Sequence, residues 1–266
     1  LLWGAEFFEG DDALRWRNKG VLLLRKIIRL QILDDGVHFE RSPAYHNLVL
    51  QDFLECWEFI HEPELKVDLK EVVTKMIQAS VDLTHPDGDL SMFSDGCKKV
   101  APKLKSLLAC AKAQGFINPE PRGQFSYPQA GLSGWRDKSQ YILIDHGPIG
   151  PPELPGHGHL DMFSFEWTVG GQRLIIDQGV YEYQRGENRD RSRSTLSHNT
   201  LSLSRQEQAD FWGEFRLGSI PHISSEVASG AREMSVCGWH TGFARLRGSP
   251  VHQRKFTVSA SSVHIT

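Results

Sequence analysis

The chain lacks both a long hydrophobic run and an excess of charge. No apolar stretch approaches the roughly twenty residues that a helix needs to cross a bilayer. The 30 lysines and arginines nearly balance the 33 aspartates and glutamates, which gives a net charge of -3 and a pI near 6.5. This composition is that of an ordinary soluble globular protein. We therefore expect no membrane insertion and no electrostatic attraction to nucleic acid, and an acidic substrate would have to be bound by local groups.

Cysteine is also scarce, and no targeting segment is visible. The four cysteines, Cys56, Cys97, Cys110 and Cys237, show neither CxxC spacing nor a dense framework, so no disulfide network or cysteine-based metal site is indicated. No signal peptide or initiator methionine precedes Leu1, and the chain stops inside a predicted strand. We expect a piece of a longer protein, with localisation signals and some catalytic groups outside it.

The first part of the chain has a helical pattern. Apolar residues recur at helix spacing in four segments, which are 14–33, 49–60, 69–77 and 102–114. Asp11 or Asp12 is a plausible N-cap for the first of them. In the second, Val49, Phe53 and Trp57 share one face, and Pro63 closes the run. The pattern predicts paired antiparallel helices over residues 1–118.

After residue 120 the pattern changes to short alternating runs separated by glycine and proline. Strands are predicted at 141–145, 163–169, 173–177, 199–203 and 255–258. Gly170-Gly171 is a two-residue hairpin turn between two of them. Prolines and glycines interrupt regular structure between 116 and 131, and no internal repeat is longer than a helical hairpin. The sequence predicts an antiparallel β domain over residues 119–266.

Three histidines and one aspartate could bind a metal ion. Alternate residues of an extended segment point the same way, so His157 and His159 can face one site. Asp177 ends an apolar run, where a buried carboxylate without a partner would be costly. His198 begins another predicted strand. Imidazole nitrogen and carboxylate oxygen are ordinary zinc ligands, and three of them leave a fourth position for water or substrate.

Other interpretations of these histidines remain open. A cupin would place a glutamate four or five residues after an HxH pair, whereas the next carboxylates here are Asp161 at two positions and Glu166 at seven. That spacing argues against a cupin. Each imidazole could instead be a structural side chain, and a purely structural zinc is a further alternative.

The predicted loop between the first two helices is rich in ionisable groups. Residues 34–46, Asp-Asp-Gly-Val-His-Phe-Glu-Arg-Ser-Pro-Ala-Tyr-His, carry seven of them. Loops positioned by a rigid scaffold commonly carry function. Tyr45 is a proton donor at its ordinary pKa near 10, and nearby cations could lower the pKa enough to make it a base. It could equally be a tyrosine that packs on the core near the start of a helix.

Arginines and aromatic residues lie close to the candidate metal ligands in the sequence. Arg189, Arg191 and Arg193 precede His198, and a guanidinium group suits a planar carboxylate or a sulfate. Any single one could belong to a solvated basic loop, but as a group they indicate an anionic ligand. Trp212 could stack on a sugar, although most tryptophans are expected in the core.

Three stretches together resemble the heparinase II/III-like family of polysaccharide lyases, and the resemblance covers essentially the whole chain. They are residues 31–46, residues 156–166 with the motif Gly-His-Gly-His-Leu-Asp, and residues 176–200 with Ile-Asp-Gln-Gly and Ser-His-Asn-Thr. The resemblance implies an α+β multidomain fold, in which an (α/α) toroid precedes an antiparallel β-sandwich domain and substrate binds between them. It implies cleavage of uronic-acid-containing polysaccharide by β-elimination.

The resemblance also implies roles for individual residues. The zinc ligands would be His159, Asp177 and His198, and the catalytic residues would be Tyr45, His157 and, as in alginate lyase relatives, Tyr183. The expected substrate-binding residues are Glu40, His46, Arg189 and Arg193. Because elimination consumes no water, zinc is expected to organise the site and not to activate water. Relatives use a further Asn or Asn-His pair that would lie upstream of Leu1.

The expected partner is an anionic polysaccharide or oligosaccharide, and the expected location is the periplasm or cell envelope. Glycosaminoglycan, alginate and bacterial exopolysaccharide are all compatible with the motifs, and oligomeric state is not indicated. The alternative function is a non-catalytic, zinc-stabilised polysaccharide-binding or assembly protein of the cell envelope. The joint presence of Tyr45 and His157 favours the enzyme, because binding alone would not require both.

Overall fold

The computed structural model describes residues 1–266 and begins with five helices. These are α1 (Leu2–Phe7), α2 (Asp11–Gln31), α3 (Pro43–Phe59), α4 (Pro63–Asp82) and α5 (Leu104–Ala113). The four predicted helices are confirmed as α2 to α5. Pro63 is the first residue of α4, because a proline needs no N–H donor in the first turn. Asp11 and Asp12 lie in the first turn of α2, after Gly10, and therefore do not cap it.

The helices share one apolar core. The predicted face of α3 is confirmed, since Phe53 is buried and Val49 and Trp57 pack against the same cluster. Leu65 and Leu69 of α4 belong to this cluster and are fully buried. Burial of such side chains contributes roughly 1.5–3 kcal/mol each relative to exposure. This core fixes the start of α3, where the ionisable loop ends.

Nine strands follow and form two antiparallel sheets with neighbouring strands adjacent in sequence. The first contains β1 (Gln124–Tyr127), β2 (Leu132–Arg136), β3 (Gln140–Asp145), β4 (Phe165–Val169) and β5 (Gln172–Ile175). The second contains β6 (Ile223–Ser229), β7 (Glu233–His240), β8 (His252–Ser259) and β9 (Ser262–Ile265). A short helix, α6 (Glu187–Arg193), lies between the two sheets in the sequence.

Most predicted strands are confirmed, and one is wrong. Gly170 and Gly171 join β4 to β5 with φ of 56° and 78°, which a two-residue hairpin turn requires and glycine adopts easily. Residues 199–203 do not form a strand. Instead the Asn199 amide donates hydrogen bonds to the carbonyls of Phe165 and Ile176, at 3.0 and 2.8 Å, so a side chain holds this segment to the first sheet.

Strand β3 is buried on both faces and joins the two parts of the molecule. Ile142 and Ile144 share an apolar cluster with residues of β7 and β8, which makes the two sheets a sandwich. Tyr141 and Leu143 lie in a different cluster with Leu83, at the end of α4. The helical and β parts therefore bury a common interface. The predicted α+β fold class is confirmed, and no helix has the length and apolar character that crossing a membrane requires.

Candidate functional site

Three predicted catalytic side chains meet at the junction of the helical and β parts. The rings of Tyr45 and His157 stack with centroids 4.0 Å apart and planes inclined by 10°. The hydroxyls of Tyr45 and Tyr183 are hydrogen-bonded at 3.0 Å. Tyr45 lies in the first turn of α3, while Tyr183 precedes α6. Tertiary packing thus brings together residues from three distant segments.

A glycine separates two histidines that have different surroundings. His157 ends a short 3-10 helix and faces Tyr45, whereas His159 is completely buried in the β domain. A Cβ at Gly158 would lie 1.7 Å from the Ile149 carbonyl oxygen, so only glycine allows this close approach of the two main chains. The HxH motif therefore supplies one residue to each of two adjacent clusters.

Glu40 contacts His157 and orients its ring. The Nδ1 of His157 lies 2.8 Å from Oε2 of Glu40. With Nδ1–H donating to this carboxylate, Nε2 carries the free lone pair of a neutral imidazole. The His157 side chain is 26% exposed, so Nε2 remains accessible to a substrate. Glu40, predicted to bind substrate, lies where it stabilises the positive charge of a protonated His157.

Both tyrosines of this cluster remain protonated at neutral pH. Burial is the main cause that raises the pKa of Tyr45 above 10, although its hydrogen bond to Tyr183 acts in the opposite direction. Burial and the hydrogen bond to Tyr45 raise the pKa of Tyr183 strongly. The two phenols are therefore proton donors in this structure. The alternative of a tyrosinate base is not supported, because no nearby cation outweighs burial.

His159, Asp161 and His198 form a second, fully buried cluster that could hold a metal ion. One donor atom from each lies within 4.8 Å of the other two. The Nδ1 of His159 and the Nε2 of His198 are buried and have no hydrogen-bond partner. A buried nitrogen without a partner is costly unless it has a ligand, and two such nitrogens beside a carboxylate fit a divalent cation. The donor set therefore fits zinc.

Two further carboxylates contact the other ring nitrogen of each histidine, the one that has a hydrogen-bond partner. Asp95 Oδ1 lies 2.7 Å from Nε2 of His159, and Asp177 Oδ2 lies 2.7 Å from Nδ1 of His198. Metal-binding histidines commonly donate their second N–H to a carboxylate in this way. In this placement Asp177 lies against His198, so its role as a ligand stays a prediction. The Asp177 oxygens accept hydrogen bonds from His198 and from the Gly179 N–H. An oxygen of Asp161 lies within 4.8 Å of a ring nitrogen of His159 and of His198.

Two predicted substrate-binding arginines are completely buried. Arg189 forms an ion pair with Asp95, including an Nη2–Oδ2 contact of 3.1 Å. Arg193 donates to the carbonyls of Gly213 and Glu214 at 3.0 and 2.8 Å. Both guanidinium groups therefore bind protein atoms in this structure, and their contact with substrate stays a prediction.

His46 is likewise buried and contacts protein atoms, and its role in substrate binding stays a prediction. Its Nδ1 accepts the His38 N–H at 3.1 Å, and its Nε2 lies 2.9 Å from the Met76 carbonyl. Burial lowers the pKa of His46 to about 4, against the raising effects of the Met76 carbonyl and of Asp35. The imidazole is therefore neutral, and it links the ionisable loop to α4.

Asp95, Asp161 and Glu166 are site residues that the sequence interpretation did not identify. Asp161 had a signal, because it follows His159 by two positions. Glu166 accepts the main-chain N–H of Met92 at 2.7 Å and that of Asp177 at 3.3 Å. It thereby connects the loop after α4 to the segment after β5. Asp95 gave no local signal, since it lies in a loop far from the histidine motif.

Two family profiles match the chain, one over each part. Residues 1–115 match the family profile described as Heparinase II/III N-terminus, and residues 119–266 match the one described as Heparinase II/III-like, C-terminal. A heparin-sulfate lyase of Pedobacter heparinus is 27% identical over an alignment of 234 residues that covers 77% of this chain and 35% of that protein. A heparin-sulfate lyase of Bacteroides stercoris is 25% identical, and the alignment covers 76% of this chain and 34% of that protein.

Solved structures show the same fold. The heparan sulfate lyase HepC from Pedobacter heparinus superposes with a TM-score of 0.73 at 22% identity, covering 99% of this chain and 43% of its own. A structure of heparinase III gives a TM-score of 0.74 at 20% identity, with 96% and 43% covered. These similarities confirm the toroid and β-sandwich architecture. The chain spans about a third of the length of the curated relatives that it matches.

Proposed function

The chain belongs to the heparinase II/III-like family, and we propose that it carries part of a polysaccharide lyase that cleaves uronic-acid-containing chains by β-elimination. The observation that supports this proposal is the stack of Tyr45 on His157, with Glu40 behind the imidazole and Tyr183 behind the phenol. A base and an acid thus lie side by side at the domain junction. The two relatives named as heparin-sulfate lyases point to the same reaction class.

In the proposed reaction, His157 Nε2 removes the proton at C5 of the uronate. The C5–H electrons form the C4–C5 double bond, and the bond from C4 to the glycosidic oxygen breaks. Tyr45 donates its phenolic proton to that departing oxygen. Glu40 stabilises the imidazolium that forms, as a carboxylate does for the histidine of a catalytic triad. The proton on His157 then returns to Tyr45, directly or through solvent, and no water is consumed.

The raised pKa of Tyr45 fits this assignment of acid and base. A phenol that keeps its proton at neutral pH can act as the acid, and the imidazole beside it is the available base. Tyr183 donates to or accepts from the Tyr45 hydroxyl, so it can stabilise the phenolate left after proton transfer. A binding protein would need none of these relations, which makes the non-catalytic alternative the weaker proposal.

We further propose zinc as the ion for His159, Asp161 and His198. When bound, zinc would offset the buried carboxylate charge and fix three loop segments relative to one another. His159 is separated from the catalytic His157 by one residue, so ordering it also orders the base. Nothing in the elimination requires a metal-bound water. A periplasmic or cell-envelope location remains a prediction of the family resemblance.

The test is the appearance of unsaturated product from the full-length protein. A panel of glycosaminoglycan, alginate and exopolysaccharide substrates would be followed by the ultraviolet absorbance of unsaturated uronates. Tyr45→Phe should reduce turnover by at least about 10²-fold, the usual worth of a general acid, with metal content unchanged. Tyr181→Phe, at an exposed tyrosine, is the matched control and should be fully active. Saccharide binding without any unsaturated product would leave the non-catalytic alternative.

A further inference from the structure

An exposed aromatic hairpin lies beside the candidate catalytic cluster. It comprises residues 211–217, is closed by a bridge between Phe211 and Leu217, and has a hydrogen bond of 3.1 Å from the Trp212 N–H to the Arg216 carbonyl. Trp212 is 67% exposed and Phe215 44%. Large apolar side chains presented together in this way often mark a binding surface.

Buried arginines hold the aromatic hairpin in place. Arg193 donates to the carbonyls of Gly213 and Glu214, and Arg189 donates to the Glu214 carbonyl at 3.2 Å. Arg189 also lies 5.3 Å from the centroid of the Phe215 ring. Charge-assisted hydrogen bonds inside the protein are strong, so the tip of the hairpin is fixed relative to the site. Trp212 therefore lies on a hairpin that the two buried arginines hold in position.

A groove of about 460 Å³ runs between the aromatic hairpin and the segment before His157. Its apolar lining is made by Leu154, Pro155, Trp212, Phe215, Leu217 and Ile220. Pro155 begins the 3-10 helix that ends at His157. The Phe215 ring stacks on that of Tyr183 with centroids 6.4 Å apart and planes inclined by 15°. Phe215 and the segment from Pro155 to His157 thus connect the groove to the cluster of Tyr45, His157 and Tyr183.

The charged groups of the groove suit a sugar acid. The Arg216 guanidinium lies 5.6 Å from the centroid of the Trp212 ring, so a cation stands beside an open aromatic face. A pyranose can place its C–H face on indole while its carboxylate or sulfate contacts the guanidinium. Glu153 also lines the groove, and its carboxylate can accept hydrogen bonds from sugar hydroxyls.

We propose that this groove is a subsite for sugar residues of the anionic polysaccharide that lie beyond the cleaved linkage. Trp212 would be the stacking platform and Arg216 the contact to a carboxylate or sulfate. The choice of ligand class rests on the proposed function. The position of the groove, reached through Phe215 and Tyr183, favours an extended substrate over a second copy of the chain as its occupant.

The test measures binding without turnover. In the full-length Tyr45→Phe protein, size-defined heparan sulfate oligosaccharides would be titrated by calorimetry, as disaccharide, tetrasaccharide and octasaccharide. Trp212→Ala should weaken octasaccharide binding about tenfold, the loss typical of truncating an aromatic anchor, and should leave disaccharide binding unchanged. Arg216→Gln should weaken octasaccharide binding and make it less dependent on salt. Trp3→Ala is the matched control, since Trp3 is 63% exposed on α1.

Three outcomes would overturn the subsite. The first is equal octasaccharide binding by the Tyr45→Phe protein with and without Trp212→Ala. The second is no oligosaccharide binding by the Tyr45→Phe protein itself. The third is a dimer, seen by light scattering, that Trp212→Ala converts to monomer. Failure of the lyase proposal looks different, because octasaccharide binding would then depend on Trp212 while the protein with Tyr45 intact forms no unsaturated product.

Discussion

Asp95 contacts the histidine motif twice. Its carboxylate lies 2.7 Å from Nε2 of His159, and its main-chain N–H donates to the His157 carbonyl at 3.0 Å. Asp95 comes from the loop between α4 and α5, while both histidines belong to the β domain. One residue of the helical part therefore holds both the proposed base, His157, and a proposed metal ligand, His159. The two clusters share this support.

The first prediction concerns this support. Asp95→Asn should lower zinc affinity by roughly 10- to 100-fold, as loss of an outer carboxylate commonly does. Competition with a chromophoric chelator would measure it. Because Asn also leaves the buried Arg189 without its charged partner, circular dichroism must show that the variant is folded. Asp68→Asn, at an exposed site on α4, is the control. Unchanged zinc affinity in a folded Asp95→Asn protein would contradict the role.

The second prediction distinguishes ligand from support among two aspartates. Asp161→Ala removes a proposed zinc ligand, so stoichiometric zinc should be lost. Asp177→Asn removes the carboxylate behind His198, so the protein should keep zinc with weaker affinity. Elemental analysis after dialysis would compare the two. The opposite order, with zinc kept by Asp161→Ala and lost from Asp177→Asn, would identify Asp177 as the ligand and contradict Asp161.

The sequence was sufficient for those parts of the fold and site that depend on local patterns. Helix periodicity predicts α2 to α5, and the alternation around Gly170-Gly171 predicts β4 and β5. The strands β1, β2, β6 and β7 are not among the predicted ones, and in β6 most side chains lie at the surface and show little alternation. Asp95 could not be predicted, since it is 64 residues from His159 and only the packing of the two domains brings them together.

The buried arginines show a second limit of sequence interpretation. Basic residues near a candidate site suggest an anionic ligand, yet Arg189 and Arg193 are directed at carbonyls and at Asp95. The sequence pattern is the same whether such arginines bind an anionic ligand or bind protein atoms. The fold decides which use applies, because it brings residues 213 and 214 against α6. Trp212, Phe215 and Arg216 of that segment are exposed to solvent.

The third prediction is a pH profile. Tyr45 acts as an acid in its protonated form, so activity is present below its pKa and is lost as pH rises through it. The hydrogen bond from Tyr183 lowers the pKa of Tyr45 against the larger raising effect of burial. Tyr183→Phe should therefore move the alkaline limb of kcat to higher pH. Steady-state rates across the alkaline range would measure it, with Tyr181→Phe as control. A limb that moves to lower pH would contradict Tyr45 as the acid.

The fourth prediction links His46 to stability in acid. Its pKa in the folded protein is about 4 because of burial, below the ordinary histidine pKa of 6.5 in an unfolded chain. The lowered pKa of His46 affects the free energy of unfolding. Its stabilising contribution is fully present above pH 6.5 and is lost as the pH falls towards 4, because the unfolded state binds the proton first. The loss is on the order of 3 kcal/mol for this one group. His46→Gln should flatten the dependence of the unfolding free energy on pH in this range. Urea titrations at pH 7 and pH 5, with chelator present, would measure it, and an equally steep dependence in the variant would assign the loss to other groups.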